Sequence, residues 1–185
     1  MGKGTNLLNI KANTHNLEST CTIRDVFYYN SLTKDKNSYS THSKVTVTYS
    51  SDGMKILGTG GDVYIQNTDI TLPTNYSAEM TITGMSSPTS YVTDICFEDL
   101  FFQSGENGMA RRISSSTQNI ANGYGRFAVG DVIKVVRDGN ARTIKLYYND
   151  ILKYTFTNIN TTGKQQFKTY NGRYTTVKDL IIEQL

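Results

Sequence analysis

The chain has 185 residues, enough to bury a core within one domain without help from metal ions or disulfides. It holds 13 Tyr and no Trp, and Thr, Asn and Ser number 25, 16 and 15, a composition that favours strands and polar turns over helices. No stretch approaches the ~20 apolar residues of a membrane helix, and residues 1–19 contain no apolar run typical of a signal peptide. The net charge is only +3, with no basic run beyond Arg111-Arg112, which disfavours nucleic-acid binding.

The charges are unevenly distributed along the chain. Residues 61–110 contain seven acids and no base, whereas residues 111–185 contain twelve bases and five acids. Two interpretations stay open. Acidic and basic strands can neutralise one another across a sheet. Alternatively, a surface with separate positive and negative regions orients a partner, or an acidic rim holds a cation.

In chain order, residues 1–20 are polar and predict an N-terminal arm, and residues 21–185 predict a single domain. Alternating apolar positions predict strands at 21–29, 44–50, 54–58, 63–65 and 76–83. Turn residues separate these short runs every eight to twelve positions, which is typical of a sandwich or barrel. Residues 104–126 are rich in Gly and Ser and predict loops around a short strand at 109–113.

The stretch 130–158 predicts three antiparallel strands at about 131–137, 142–148 and 151–157. Side chains on a strand point alternately to its two faces, so this meander has one apolar and one mixed face. We expect the apolar face to be covered by a second layer. The reversing turns are Asp138-Gly139-Asn140 and Asn149-Asp150.

One pattern in this stretch consists of Val135, Arg137, Asp138, Gly139, Leu146, Tyr147 and Asn149. This pattern resembles the central hairpin of concanavalin A-like (laminin-G-like) jelly rolls. The resemblance implies an all-β fold, an antiparallel β-sandwich with jelly-roll connections, and carbohydrate or cell-surface binding as the function. It also implies a closing strand near residues 175–181, where Thr175, Val177, Asp179 and Ile181 alternate. Asp150 stands where the family usually has Gly.

Catalysis is not expected from the sequence. His15 and His42 lie in polar segments without a nucleophile elbow or zinc-ligand spacing. Asp94, Cys96 and Glu98 share a face of a predicted strand, which resembles the acidic strand of laminarinase-type glycoside hydrolases. A retaining hydrolase needs two carboxyls about 5–5.5 Å apart, whereas positions four apart on a straight strand are separated by roughly 13 Å. A degenerate glycoside hydrolase is therefore the third hypothesis only.

Cys21 and Cys96 lie on different predicted strands. They could form a disulfide in an exported protein, but with two cysteines alone the prediction is a pair of small buried side chains.

Sugar rings stack on aromatic side chains, while Asn, Asp and Arg bind their hydroxyls. The meander and neighbouring loops supply this mixture. The alternative interpretation is that residues such as Tyr147 pair across strands for stability alone. Calcium is the cofactor to test, with Asp62, Asn67 and Asp69 as metal ligands in one short acidic stretch. The predicted ligand-binding residues are Tyr124, Arg126, Lys134, Lys145, Tyr147, Tyr170, Asn171 and Arg173.

We therefore expect a non-catalytic module that binds a carbohydrate or cell-surface polymer, located outside the cell, at a cell surface or on a virion. The second hypothesis is a structural or adhesion module of a viral tail or surface appendage. In that case the polar N-terminal arm would bind a neighbouring subunit of a homo-oligomer or virion. Insertion into a membrane is not expected.

Overall fold

The computed structural model describes residues 26–28, 39–68, 70–86, 92–103, 108–113 and 115–185, with only the backbone described at 26–28 and 115–120. Within these ranges the chain forms β-strands and no α-helix, so no helix there could cross a membrane. The strands are β1 (Val26–Tyr28), β2 (Val45–Ser50), β3 (Gly53–Gly58), β4 (Val63–Gln66), β5 (Tyr76–Met85), β6 (Asp94–Phe97), β7 (Leu100–Gln103), β8 (Met109–Arg112), β9 (Ser115–Asn122), β10 (Val132–Asp138), β11 (Thr143–Tyr148), β12 (Ile151–Phe156), β13 (Gln165–Thr169) and β14 (Tyr174–Gln184).

The strands are arranged in two antiparallel sheets. The larger sheet has the order β12-β11-β10-β5-β14-β3-β2, with β1 also paired to β14. The smaller sheet has the order β4-β13-β6-β7-β8-β9. Neighbours in both sheets often lie far apart in the sequence, as in β10 beside β5 and β13 beside β6. The prediction of an all-β antiparallel sandwich is confirmed.

One hydrophobic core lies between the two sheets. Ile133 and Val135 of β10 are buried in the same cluster as Ile95 and Phe167 of the six-stranded sheet. The period-two alternation of β10 gives this result directly, because every second side chain points inward. The apolar face of the meander is therefore covered by a second layer, as expected.

The three-stranded meander is confirmed to within one or two residues at each strand end. Asn149 and Asp150 form the two-residue turn between β11 and β12, with φ angles of 50° and 62°. Left-handed backbone at both positions matches the twist of the strands it joins. Asp150 thus adopts a conformation that glycine adopts at lower cost.

Arg137 lies on the buried face of β10 and is 1% exposed. Its guanidinium donates hydrogen bonds to the backbone oxygens of Asp138, Thr143 and Ile159 and to Oγ1 of Thr161, at 3.1–3.4 Å. These bonds tie the β10–β11 turn to the loop after β12. They explain how a cation is tolerated at the edge of an apolar layer.

One prediction about an element was wrong, and another was right about the strand but wrong about its alternation. The Gly- and Ser-rich stretch expected to be loops contains the eight-residue strand β9, which pairs with β8. Its polar residues do not show the alternation that would have revealed a strand. The closing strand expected near residues 175–181 is confirmed as β14. Its pairing register shifts between Lys178 and Ile181, however, and Asp179 has a φ of 54°. The inward positions therefore change from Val177 to Leu180 and Ile182, and the alternation predicted through Asp179 and Ile181 is interrupted.

Candidate functional site

The face of the six-stranded sheet that points away from the core carries a polar and aromatic group of side chains. Alternation on β6 turns Ile95 and Phe97 into the core and leaves Asp94 on this other face. Asp94 is the register partner of Lys168 on β13, and Lys168 in turn lies opposite Tyr64 on β4. We call the whole group the outer cluster, and it consists of Asp62, Tyr64, Asp94, Gln103, Lys168 and Tyr170.

Asp94 is the centre of a buried hydrogen-bond network. Its Oδ2 accepts a bond of 2.6 Å from the Tyr170 hydroxyl and one of 3.1 Å from Nε2 of Gln103. Nε2 of Gln103 also donates to the Tyr170 oxygen at 2.6 Å. Oδ1 of Asp94 and Oε1 of Gln103 have no hydrogen-bond partner within the part of the chain that is described. Buried oxygens of this kind are rare in folded proteins, and where they occur a bound water or a ligand group often supplies the partner.

Burial is the main cause of the pKa shifts in this network. Desolvation of the charged form raises the pKa of Asp94 to about 8, although the bonds from Tyr170 and Gln103 and the charge of Lys168 act in the opposite direction. The carboxyl is therefore mostly protonated at neutral pH. Burial also raises the pKa of the Tyr170 hydroxyl and of the Cys96 thiol, so both remain uncharged. Cys96 is a buried free thiol, while Cys21 lies outside the described residues.

Lys168 is the cation of the outer cluster and is only 6% exposed. Its Nζ lies 3.1 Å from Oδ2 of Asp62, which is itself mostly exposed. The same ammonium lies 4.7 Å from the ring centroid of Tyr170, 5.0 Å from that of Phe101 and 5.8 Å from that of Tyr64. Two partly exposed tyrosine rings thus converge on one buried positive charge.

The turn from Tyr170 to Arg173, between β13 and β14, is fixed against the end of β3. Gly58 accepts a bond from the amide of Gly172 and donates one to the carbonyl of Arg173, both at 2.9 Å. A Cβ at Gly58 would lie 2.2 Å from the carbonyl oxygen of Tyr170, so only glycine permits this approach. The position of the Tyr170 ring is therefore set both at its backbone and at its hydroxyl.

The residues predicted to bind a ligand are divided between the two layers of the sandwich. Tyr170 belongs to the outer cluster, with exposed Asn171 and half-buried Arg173 beside it in the same turn. Tyr124 is buried in the core, where its ring packs edge-on against Phe156, and Arg126 is exposed in the same loop.

The other three predicted residues lie on the outward face of the eight-stranded sheet. Lys134 and Tyr147 are directly paired there, and Lys145 is paired with Val136. Lys145 also lines a groove of about 550 Å³ together with Asn140 and Thr155. The structure therefore does not bring this set together with Tyr170, and a role in ligand binding stays a prediction for each residue.

The stretch predicted to hold calcium is only partly described. Asp62 is paired with Lys168, and Oδ1 of Asn67 accepts a bond from the amide of Ile70, while Asp69 lies outside the described residues. Where the structure describes the chain, no three His, Cys, Asp or Glu side chains are grouped so that they could hold a metal ion. Calcium binding stays a prediction.

Asp94 and Glu98 do not face one another as a catalytic pair. Glu98 has a φ of 58° and leaves the strand, and its Oε2 accepts bonds from the amides of Thr162 at 2.6 Å and Gly163 at 2.8 Å. The expectation that Asp94, Cys96 and Glu98 share one face was therefore wrong at Glu98. The carboxylate of Glu98 instead anchors the loop between β12 and β13.

Sequence reasoning missed Tyr64, Gln103 and Lys168 as members of the site. Tyr64 lies in a short alternating run that predicts only a sheet residue. Lys168 could have been found, because Gln166, Lys168 and Tyr170 alternate with Phe167 and Thr169 in a short run. Gln103 ends a nearly continuous apolar strand and gives no such signal.

No protein-family model matches the sequence, and neither does the sequence of any curated protein. Solved structures do match the fold. Carbohydrate-binding module CBM66 from Bacillus subtilis superposes with a TM-score of 0.54 at 13% identity, covering 80% of this chain and 96% of that module. The exoplasmic/lumenal domain of VIP36, in a form bound to Ca²⁺ and Man3GlcNAc, gives 0.56 at 8% identity and 80% and 84% coverage. A sialidase gives 0.57 at 8% identity, covering 78% of this chain but only 17% of that enzyme.

These similarities show the fold. The chain is a β-sandwich similar in fold to CBM66 and to the VIP36 domain. At such low sequence identity, the sugars that those proteins bind do not identify a ligand for this chain.

Proposed function

We propose that this protein is a non-catalytic carbohydrate-binding module, and that its sugar contact is the rim of the outer cluster. The observation that carries the proposal is the convergence of two partly exposed tyrosine rings, Tyr64 and Tyr170, on the buried ammonium of Lys168. Rings of this kind offer an apolar surface for a sugar face. The exposed carboxylate of Asp62 and the amide of Asn171 lie beside them and can bind hydroxyl groups.

The buried part of the outer cluster has a positioning role in this proposal. Asp94 and Gln103 hold the Tyr170 hydroxyl by bonds of 2.6 Å, so the ring is fixed before a ligand arrives. A ring that is already ordered loses little side-chain entropy on binding. The similarity in fold to CBM66 and to the VIP36 domain supports a binding module without identifying the sugar.

A glycan array with the whole chain is the first test, run once with Ca²⁺ and once with a chelator. Saturable binding to a defined set of glycans is the expected result. Binding that disappears with the chelator would support the calcium prediction, and identical arrays would contradict it. An array without hits would overturn the proposed function and favour a structural or adhesion module.

Substitutions then test the location of the site. Tyr64→Ala and Tyr170→Ala should each weaken binding of an array hit about five- to tenfold, which corresponds to the ~1–1.5 kcal/mol that an aromatic contact contributes. Tyr147→Ala is the matched control, because Tyr147 is a half-buried tyrosine on the outward face of the other sheet. Loss of binding in Tyr147→Ala or Lys145→Ala, with Tyr64→Ala unaffected, would move the site to the groove on the eight-stranded sheet.

The absence of catalysis is part of the proposal. Asp94 and Glu98 bind separate partners, so neither supplies a second carboxyl to the other. Incubation of the protein with its array hits should release no reducing sugar. Release that vanishes in Glu98→Gln would establish hydrolysis instead.

A further inference from the structure

Three buried polar atoms inside the sandwich have no hydrogen-bond partner within the described residues. They are the hydroxyl of Tyr76, Oε1 of Glu98 and Nε of Arg137. The three side chains are at most 1% exposed. Buried polar groups are normally hydrogen-bonded, so several unpartnered atoms at one place indicate a small polar ligand. We call these three residues the inner polar cluster.

The inner polar cluster lies where the two sheets meet the loop between β12 and β13. Tyr76 and Arg137 are directly paired on β5 and β10 of the eight-stranded sheet. Glu98 follows β6 of the six-stranded sheet. The Arg137 guanidinium donates to Oγ1 of Thr161, and the Glu98 carboxylate accepts from the amide of Thr162. The two charged side chains, one from each layer, therefore hold adjacent residues of the same loop.

The hydroxyl of Tyr76 lies near both charged groups. The Tyr76 ring centroid is 6.2 Å from that of Phe97, the residue that precedes Glu98. Burial raises the pKa of the Tyr76 hydroxyl, the charge of Glu98 raises it further, and the charge of Arg137 lowers it. The hydroxyl is therefore within electrostatic range of both groups, yet it is hydrogen-bonded to neither.

The hydrogen-bonding capacity that the charged groups have left defines the chemistry of the ligand. The two terminal nitrogens of the Arg137 guanidinium bind four oxygens, which leaves the Nε–H group. Oε2 of Glu98 accepts bonds from the amides of Thr162 and Gly163 and from the Thr162 hydroxyl, which leaves Oε1. The inner polar cluster thus offers one donor, one acceptor and the Tyr76 hydroxyl, which can act as either.

We propose that the inner polar cluster binds one water molecule, which bridges the two sheets. The water accepts a bond from Nε of Arg137, donates one to Oε1 of Glu98 and forms a third with the Tyr76 hydroxyl. Three bonds are the usual number for a buried water. The guanidinium disfavours a metal cation and the carboxylate disfavours an anion, whereas a small neutral molecule with both donors and acceptors suits all three atoms.

A crystal structure of the whole chain, at a resolution that shows ordered water, tests the proposal. We expect density for one water molecule at about 2.6–3.2 Å from all three atoms of the inner polar cluster. A direct bond between the Tyr76 hydroxyl and Oε1 of Glu98 would overturn the proposal. An ion at this position, or the absence of any density there, would overturn it as well.

NMR of the whole chain provides a second test in solution. The Nε–H proton of Arg137 should show a nuclear Overhauser cross-peak to water, with the sign that a long-lived contact gives. Tyr76→Phe removes one of the three contacts, so it should shorten the residence time of the water about two- to tenfold and weaken this cross-peak.

Tyr124→Phe is the matched control for this variant. Tyr124 is also a buried tyrosine, but its hydroxyl donates directly to the backbone oxygen of Met109, so the Arg137 cross-peak should stay unchanged. A missing cross-peak in the natural protein, or equal cross-peaks in Tyr76→Phe and Tyr124→Phe, would overturn the proposal. The inner polar cluster lies inside the sandwich, so the glycan array tests the proposed function independently.

Discussion

The hydroxyl of Tyr170 lies 2.6 Å from Oδ2 of Asp94, although the two residues are 76 positions apart in the sequence. The bond joins the turn after β13 to the first residue of β6. It couples the titration of a buried carboxyl to the position of an aromatic ring at the surface.

Replacing Tyr170 by Phe tests this coupling. The hydroxyl stabilises the ionised form of Asp94, so its removal should raise the pKa of that carboxyl further. Loss of a buried hydrogen bond should also lower the free energy of unfolding by about 1–2 kcal/mol. Titration of the Asp94 carboxyl carbon by NMR measures the first effect and urea unfolding the second. An unchanged pKa would contradict the proposed coupling, and Tyr64→Phe serves as control.

Because of Asp94, the free energy of unfolding should decrease as the pH rises. Its folded-state pKa of about 8 lies above the value of ~3.9 expected when unfolded. Between these values the folded chain holds a proton that the unfolded chain has lost. Stability should therefore fall as pH rises from about 4 to about 8 and level off above that.

Asp94→Asn removes this titration while keeping the shape of the side chain. The variant should match the natural protein near pH 4 and exceed it by a few kcal/mol near pH 9. Urea unfolding at about pH 4, 6 and 9 provides the comparison. A difference between the two proteins that stays constant with pH would show that Asp94 is ionised throughout.

Arg137→Lys should strongly destabilise the sandwich. Lysine cannot reach the four oxygens that the guanidinium binds, so buried acceptors are left without partners, at a cost of about 2–4 kcal/mol. Arg142→Lys is the control, because Arg142 is exposed and the loss there should be below about 1 kcal/mol. Thermal and urea unfolding measure both. Equal losses of unfolding free energy in the two variants would show that the hydrogen bonds of the buried Arg137 guanidinium do not stabilise the fold.

Asp150→Gly should stabilise the meander. Asp150 has a φ of 62°, which glycine adopts without steric penalty, so we expect a gain of about 0.5–1 kcal/mol. Its ion pair with Lys134 is long, at 3.9 Å, and exposed, so its loss matters little. Asn149→Gly should show no such gain, because the Asn149 side chain bonds to Asp131 and to the amide of Val132. Urea unfolding of both variants measures the two changes in the free energy of unfolding.

The elements that could be read from the sequence are those whose two faces differ in polarity. β10 and β11 alternate between apolar and polar residues, and the left-handed turn at Asn149-Asp150 has the residue types such turns require. β7 is buried on both faces and β9 is polar along most of its length. Neither shows alternation, so only their pairing partners define them as strands.

Local sequence thus determined the fold class, the central meander and its second layer, because burial of one strand face is encoded at every second residue. The tertiary structure alone decided the outer cluster. Asp94, Lys168 and Tyr170 come from distant segments, and their meeting depends on which strands lie side by side and in which register. Tertiary structure also divided the predicted ligand residues between two sheets, since a sandwich places residues of similar chemistry on opposite outer faces when their strands belong to different layers.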